Sequence, residues 1–316
     1  MMIEKDPILA NYSAPLKLVA LLILLILSLL FTSLFGIAFA LPFWGFDVVE
    51  LTVNSDYSNP ETISLLKYLQ VVNQLGLFIF PPILFAYWVS RKITAYLLLN
   101  IKPQLRVIVV SIMIIFVSLP FIGWLGEINQ SLSLPESLSG IENWMERMEN
   151  KANELIIAFL NVKSMGGMMF NVFMIAIIPA VGEEFLFRGV ILRLFKEWTK
   201  NAHIAVLVSA FLFSALHMQF YGFLPRLLLG IILGYLFVWS GSLWIPMLIH
   251  FINNAFAIIY IYATGSIDLL NSDVDSIGTS DNAFIIAMSA TFMIFLMLIV
   301  YKWYRDKYIT ETGVDS

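Results

Sequence analysis

Cysteine is absent from the 316 residues, which removes disulfides, thiolate metal sites and cysteine nucleophiles together. Charge is scarce: Asp, Glu, Lys and Arg make up 13% of the chain, against about 25% in an ordinary soluble domain. There is no basic tract and the formal net charge is −4, which argues against nucleic acid as a partner. Several hydrolytic signatures are missing as well. No long apolar run carries an Asp for an aspartyl dyad, and neither His-Glu-x-x-His nor Gly-x-Ser-x-Gly occurs. Histidine is found only at His203, His217 and His250.

What remains is apolar. Hydrophobic residues make up 60% of the chain and the mean hydropathy is +0.87. The expected fold is all-α, a polytopic transmembrane helical bundle forming a single integral membrane domain over 1–316. Eight apolar runs fall near 18–42, 66–90, 107–126, 166–187, 202–219, 224–240, 243–263 and 283–303. Each is close to the roughly 20 residues that cross a hydrocarbon core. Ala38-Phe39-Ala40 looks like a signal-peptidase site. The run that precedes it is longer than the roughly 7–15 residues of a signal h-region, so it reads as a retained first span.

If the spans alternate, the basic groups share one side: Lys5 and Lys17; Arg91, Lys92, Lys102 and Arg106; Arg193, Lys196 and Lys200; Lys302, Arg305 and Lys307. The acidic loops, with Asp47, Glu50, Asp56 and Glu61 and with Asp268, Asp273, Asp275 and Asp281, take the other. The positive-inside rule then places both termini in the cytoplasm. The lean composition suggests a bacterial inner (cytoplasmic) membrane.

The long connection 127–163 reads as amphipathic. Ser139-Gly-Ile-Glu142 has the form of a capping box. Ile141, Trp144, Met145, Met148, Ala152, Leu155 and Ile156 follow at helical spacing, as in a helix lying at the interface. A connector with an apolar underside is expected; a lid is the alternative.

The polar chemistry is concentrated in Pro179-Ala-Val-Gly-Glu183-Glu184-Phe-Leu-Phe-Arg188-Gly189. Each ionisable group at a bilayer centre costs about 2.5–3.5 kcal/mol on insertion scales, so such a cluster needs partners. Glu184 and Arg188 are four apart and share a helix face, which suits an ion pair. Glu183 is left over, as a general base would be; the bland alternative is a purely structural ion-pair cluster. His217 follows Phe213 by four, and His250 precedes Asn254 by four, so each pair lies on one helix face. Glu183 and His217 are each seventeen residues from Lys200, which puts them level in an antiparallel hairpin. His250 reaches that level if the fourth span extends beyond the membrane or the seventh is tilted. His203, beside Lys200-Asn201, reads as a surface or cap residue.

Glu183-Glu184-x-x-x-Arg188, Phe213-x-x-x-His217 and His250-x-x-x-Asn254, in this order on separate spans, resemble the motif set of the CPBP family. These are CAAX-type endopeptidases and bacteriocin-processing or immunity proteins, also called the Abi family. The resemblance covers about 166–263, which it marks as the catalytic core. It implies a glutamate-dependent intramembrane protease without a cofactor. Glu183 would activate water with help from His217, His250 and Asn254 would form the oxyanion hole, and Glu184 and Arg188 would orient the base. The substrate would be a membrane-associated protein or peptide, met in the lipid bilayer. A Glu-His-His set can instead bind zinc with an open position, through Glu183, His217 and His250. Two other functions compete: a non-proteolytic membrane scaffold or immunity protein, and a proton-coupled transporter. The last predicts repeated halves, and no second Glu-Glu segment occurs.

Overall fold

The computed structural model describes residues 6–53, 56–265 and 282–312, and the regular structure among them is helical. Lys5, Asp268, Asp273, Asp275, Asp281 and the side chain of Lys307 lie outside the described residues. In chain order the main helices are α1 (Ala14–Trp44), α2 (Pro60–Ser90), α3 (Leu105–Ser131), α4 (Ser139–Leu160), α5 (Met165–Thr199), α6 (Ala202–Ala215), α7 (Phe223–Ser240), α8 (Trp244–Thr264) and α9 (Ala283–Thr312). Seven of these, all but α4 and α6, are long and apolar enough to cross a membrane by length and composition.

The molecule exposes large apolar side chains and buries a few charged ones among its apolar cores. Leu30, Phe31, Leu34 and Phe35 of α1 are each more than half exposed, whereas Glu184 and Arg188 of α5 are fully buried. An exposed apolar belt of this kind requires lipid around it. The central helix is α5, whose Phe185–Leu194 segment packs with Phe85, Leu97, Phe213 and Leu243. A second core joins α3, α7, α8 and α9 through Ile114, Leu233, Ile249 and Met293.

The basic segments gather at one end of the bundle. Lys17 pairs with Glu197 at 3.0 Å, joining the start of α1 to the end of α5. The guanidinium of Arg193 lies 4.4 Å from the Tyr96 ring and that of Arg106 4.7 Å from the Trp303 ring. The turn between α7 and α8 is tied to the same end, since Ser242 Oγ donates to the Ile101 carbonyl at 2.6 Å and Trp244 Nε1 to the Leu99 carbonyl at 2.9 Å.

At 35 residues, α5 is about 52 Å long, well beyond the ~30 Å hydrocarbon core. That length resolves the depth of His250. Gly189 sits beside Leu243, a Cβ there falling 3.6 Å from it. Glu183 is six residues back from Gly189 and His250 seven on from Leu243, so both lie about 9–10 Å further in.

The run expected to be the fifth span is shorter than its hydropathy suggests. Helix α6 has 14 residues, about 21 Å, and stops at Ala215. His217 Nδ1 donates to the Phe213 carbonyl at 2.7 Å, closing the helix end, and Met218 takes a φ of 56°, turning the chain away. Helix α6 lies tightly against α7: a Cβ on Gly230 would meet Ala210 Cβ at 2.9 Å and its Cα at 3.0 Å. Gly230 and Gly234 form the small-xxx-small surface that allows this approach. Gly230→Val therefore destabilises the protein by about 1–3 kcal/mol, read as a lower Tm in detergent.

The connector holds a helix, α4, but its start differs from the expected capping box. The chain enters α4 through a tight turn at Glu136–Leu138, so Leu138 occupies the cap position and Ser139 makes no capping bond. Glu142 instead accepts from the Leu134 backbone N–H at 3.1 Å. Ile141 and Trp144 remain exposed, while Glu149, Asn153 and Ile156 face inward.

Three π-helical turns surround the Glu-Glu segment: Leu75–Ile79 in α2, and Val172–Ile177 and Phe185–Leu192 in α5. Such turns recur at functional sites because the wider helix re-aims side chains and loosens the carbonyl ladder. The first touches α5 directly, since a Cβ on Gly182 would meet Phe78 Cβ at 2.7 Å.

Candidate active site

Residues from three segments converge below the basic end. Glu183 and Glu184 come from α5, His217 from the turn after α6, and His250 and Asn254 from α8. Glu183, His217, His250 and Asn254 border a cavity of about 340 Å³, roofed by α4, and Glu184 is buried behind it.

Glu184 is the anchor. Its Oε1 accepts from Arg188 at 2.7 Å and from His250 Nδ1 at 2.9 Å. Arg188 also donates to the Gly230 carbonyl at 3.0 Å and lies 4.7 Å over the Phe213 ring. The intrahelical pair expected from the spacing is therefore present, and it binds α5 to α7 and α8. Phe213 is the spacer of the site: its ring meets His217 and His250 edge-on, with centroids 4.9 and 5.7 Å away.

Glu183 is left free by this arrangement. Its Oε2 is buried and accepts no hydrogen bond within the protein. His217 Nε2 and His250 Nε2 lie 3.8 and 3.9 Å from it. The other nitrogen of each ring is committed: His217 Nδ1 donates to a carbonyl and His250 Nδ1 donates to the Glu184 carboxylate. The tautomers follow from these partners. Neutral His217 presents a lone pair on Nε2 towards Glu183. Neutral His250 does the same, and presents an N–H there only as the imidazolium. Among the described residues, no group of three His, Asp or Glu side chains is spaced to hold a metal ion.

Asn254 is positioned by Ile175, a partner that the motifs do not include. Its Nδ2 donates to the Ile175 carbonyl at 3.2 Å, and its Oδ1 accepts from Asn253 at 3.3 Å. The signal lies in Pro179. Pro179 has no N–H to offer the carbonyls one turn earlier, that of Met174 in the π-helical register and that of Ile175 in the α-helical one, so one fewer intrahelical donor competes for the Ile175 carbonyl. One amide hydrogen of Asn254 takes that carbonyl and the other is free for the cavity. Pro179→Ala restores a competing N–H, loosens Asn254 and lowers kcat about tenfold, the equivalent of one hydrogen bond, with KM little changed. His203 stands apart from the site: it is exposed, and its Nδ1 lies 2.7 Å from the Tyr235 hydroxyl.

Residues 165–256 match the family model of Rce1-like type II CAAX prenyl endopeptidases, and all seven motif residues fall inside that segment. The resemblance read from the motifs holds there. Over 89 residues the chain is 29% identical to an uncharacterized protein, YpbD, of Bacillus subtilis strain 168. That alignment takes in 27% of this chain and 42% of the relative's length. No solved structure matches the chain.

Proposed function

We propose, from the match of residues 165–256 to type II CAAX prenyl endopeptidases, that this chain is an intramembrane glutamate-dependent endopeptidase acting on a membrane-associated protein or peptide. One observation carries the reading: a buried, unpartnered carboxylate oxygen at Glu183 faces two imidazole nitrogens whose opposite nitrogens are already engaged. Two acceptors 3.8 Å apart, on Glu183 and His217, suit a water that donates one hydrogen to each. Glu183 takes one proton as the water oxygen adds to the scissile carbonyl. Asn254 Nδ2 and His250 Nε2, in its imidazolium form, donate to the resulting oxyanion. Collapse of the tetrahedral intermediate returns the proton to the leaving amine. Glu184 and Arg188 hold His250 and so fix the geometry.

In this reading 166–263 is the catalytic core, 127–163 is the connector roofing it, and both termini face the cytoplasm of a bacterial inner membrane. The test is cleavage of a library of membrane-protein C-terminal peptides by purified protein in detergent, with and without a chelator. New termini formed equally in both conditions support the reading. Cleavage that a chelator stops and zinc restores makes Glu183, His217 and His250 metal ligands instead.

A further inference from the structure

The cavity is bordered by carboxamides, and all but two are engaged. Asn153 and Gln219 approach each other at 3.5 Å, Asn253 donates to Asn254, and Asn254 donates to Ile175. Gln70 and Gln74 of α2 border the same cavity, and among the described residues neither side chain has a hydrogen-bond partner. Gln74 Oε1 is buried in that condition. Leaving a buried carbonyl unsatisfied is unfavourable, and the imbalance ends when a donor arrives.

We propose that Gln70 and Gln74 form a subsite that binds the backbone of an extended substrate segment beside Glu183. This deepens the peptidase reading and rests on it. A carboxamide offers one acceptor and an N–H donor, the complement of a peptide group. A helical substrate has spent its backbone groups internally, whereas an extended one has not. The spacing suits such a chain. Gln70 and Gln74 are one helical turn apart, about 6 Å along α2, close to the ~6.6–6.8 Å between alternate residues of a strand. The placement suits it too. Phe78, one turn beyond Gln74, packs on Gly182 next to Glu183. The two carboxamides therefore lie about 6 and 12 Å from the level of the catalytic carboxylate. They also lie outside 165–256, so the subsite belongs to the part of this chain that surrounds the matched core.

The test uses the full-length protein in nanodiscs and the peptide of the C-terminal library that wild type cleaves fastest. Gln74→Leu raises KM about tenfold, one hydrogen bond's worth, and keeps kcat. Its Tm is equal to or above that of wild type, because a buried unsatisfied carbonyl is gone. N-methylation of one amide of that peptide raises KM to a similar degree in wild type and adds nothing in Gln74→Leu. An unchanged KM, or a fall in kcat alone, overturns the subsite while the peptidase reading stands. A binding arm separates the two readings: the same library is retained on Glu183→Gln protein and read by mass spectrometry. Retention lost on adding Gln74→Leu supports the subsite even without turnover; retention undiminished by it overturns the subsite.

Discussion

Glu183→Gln abolishes peptide hydrolysis and leaves the protein as stable as wild type. The substitution keeps shape and volume but removes the base, and positioned general bases contribute about 10²–10⁴ in rate. The predicted kcat loss is at least of that size, read with any peptide the wild type cleaves. Stability is untouched for a structural reason. Glu183 Oε2 accepts no hydrogen bond that the substitution would break, and the ion pair of the segment belongs to Glu184. A site made only to hold helices together would behave in the opposite way, with Glu183→Gln costing stability.

Arg188→Leu has the largest expected effect on folding. Arg188 and Glu184 are fully buried, and their 2.7 Å contact is shared with His250 and Gly230. Removing one partner leaves an uncompensated charge in the bundle, at a cost of about 3–5 kcal/mol. Unfolding in detergent should show that loss. Replacing both members, as Glu184→Leu with Arg188→Leu, recovers much of it, because no charge is then stranded. Activity does not return in the double variant, since His250 has lost the carboxylate that holds its Nδ1. The split between recovered stability and absent activity distinguishes a positioning role from bulk packing.

The sequence carried much of this arrangement. The Glu184–Arg188 pair was legible from spacing alone, because four residues is one helical turn. The level pairing of Glu183 with His217 followed from counting to Lys200, since helix rise is nearly constant. Other features were invisible for physical reasons. Hydropathy continues through Leu216 although α6 ends at Ala215, because the ending is made by a side-chain bond from His217 and not by a change in polarity. The capping box at Ser139 was misleading because Glu142 has a second backbone N–H within reach, that of Leu134. The π-helical turns leave no mark on composition. Gln70 and Gln74 belong to no motif, and only the packing of the bundle brings them to the cavity beside Glu183. Pro179 carries a further sign, since its lack of an N–H leaves a carbonyl one turn earlier in α5 open to another helix.

The measurement that tests the central claim most directly is hydrolysis in ¹⁸O-labelled water, with wild type and Glu183→Gln side by side on the peptide library. The predicted result is new C-termini from wild type alone, each carrying one ¹⁸O in its carboxyl group, in equal yield with and without a chelator. New termini formed equally by Glu183→Gln would contradict it.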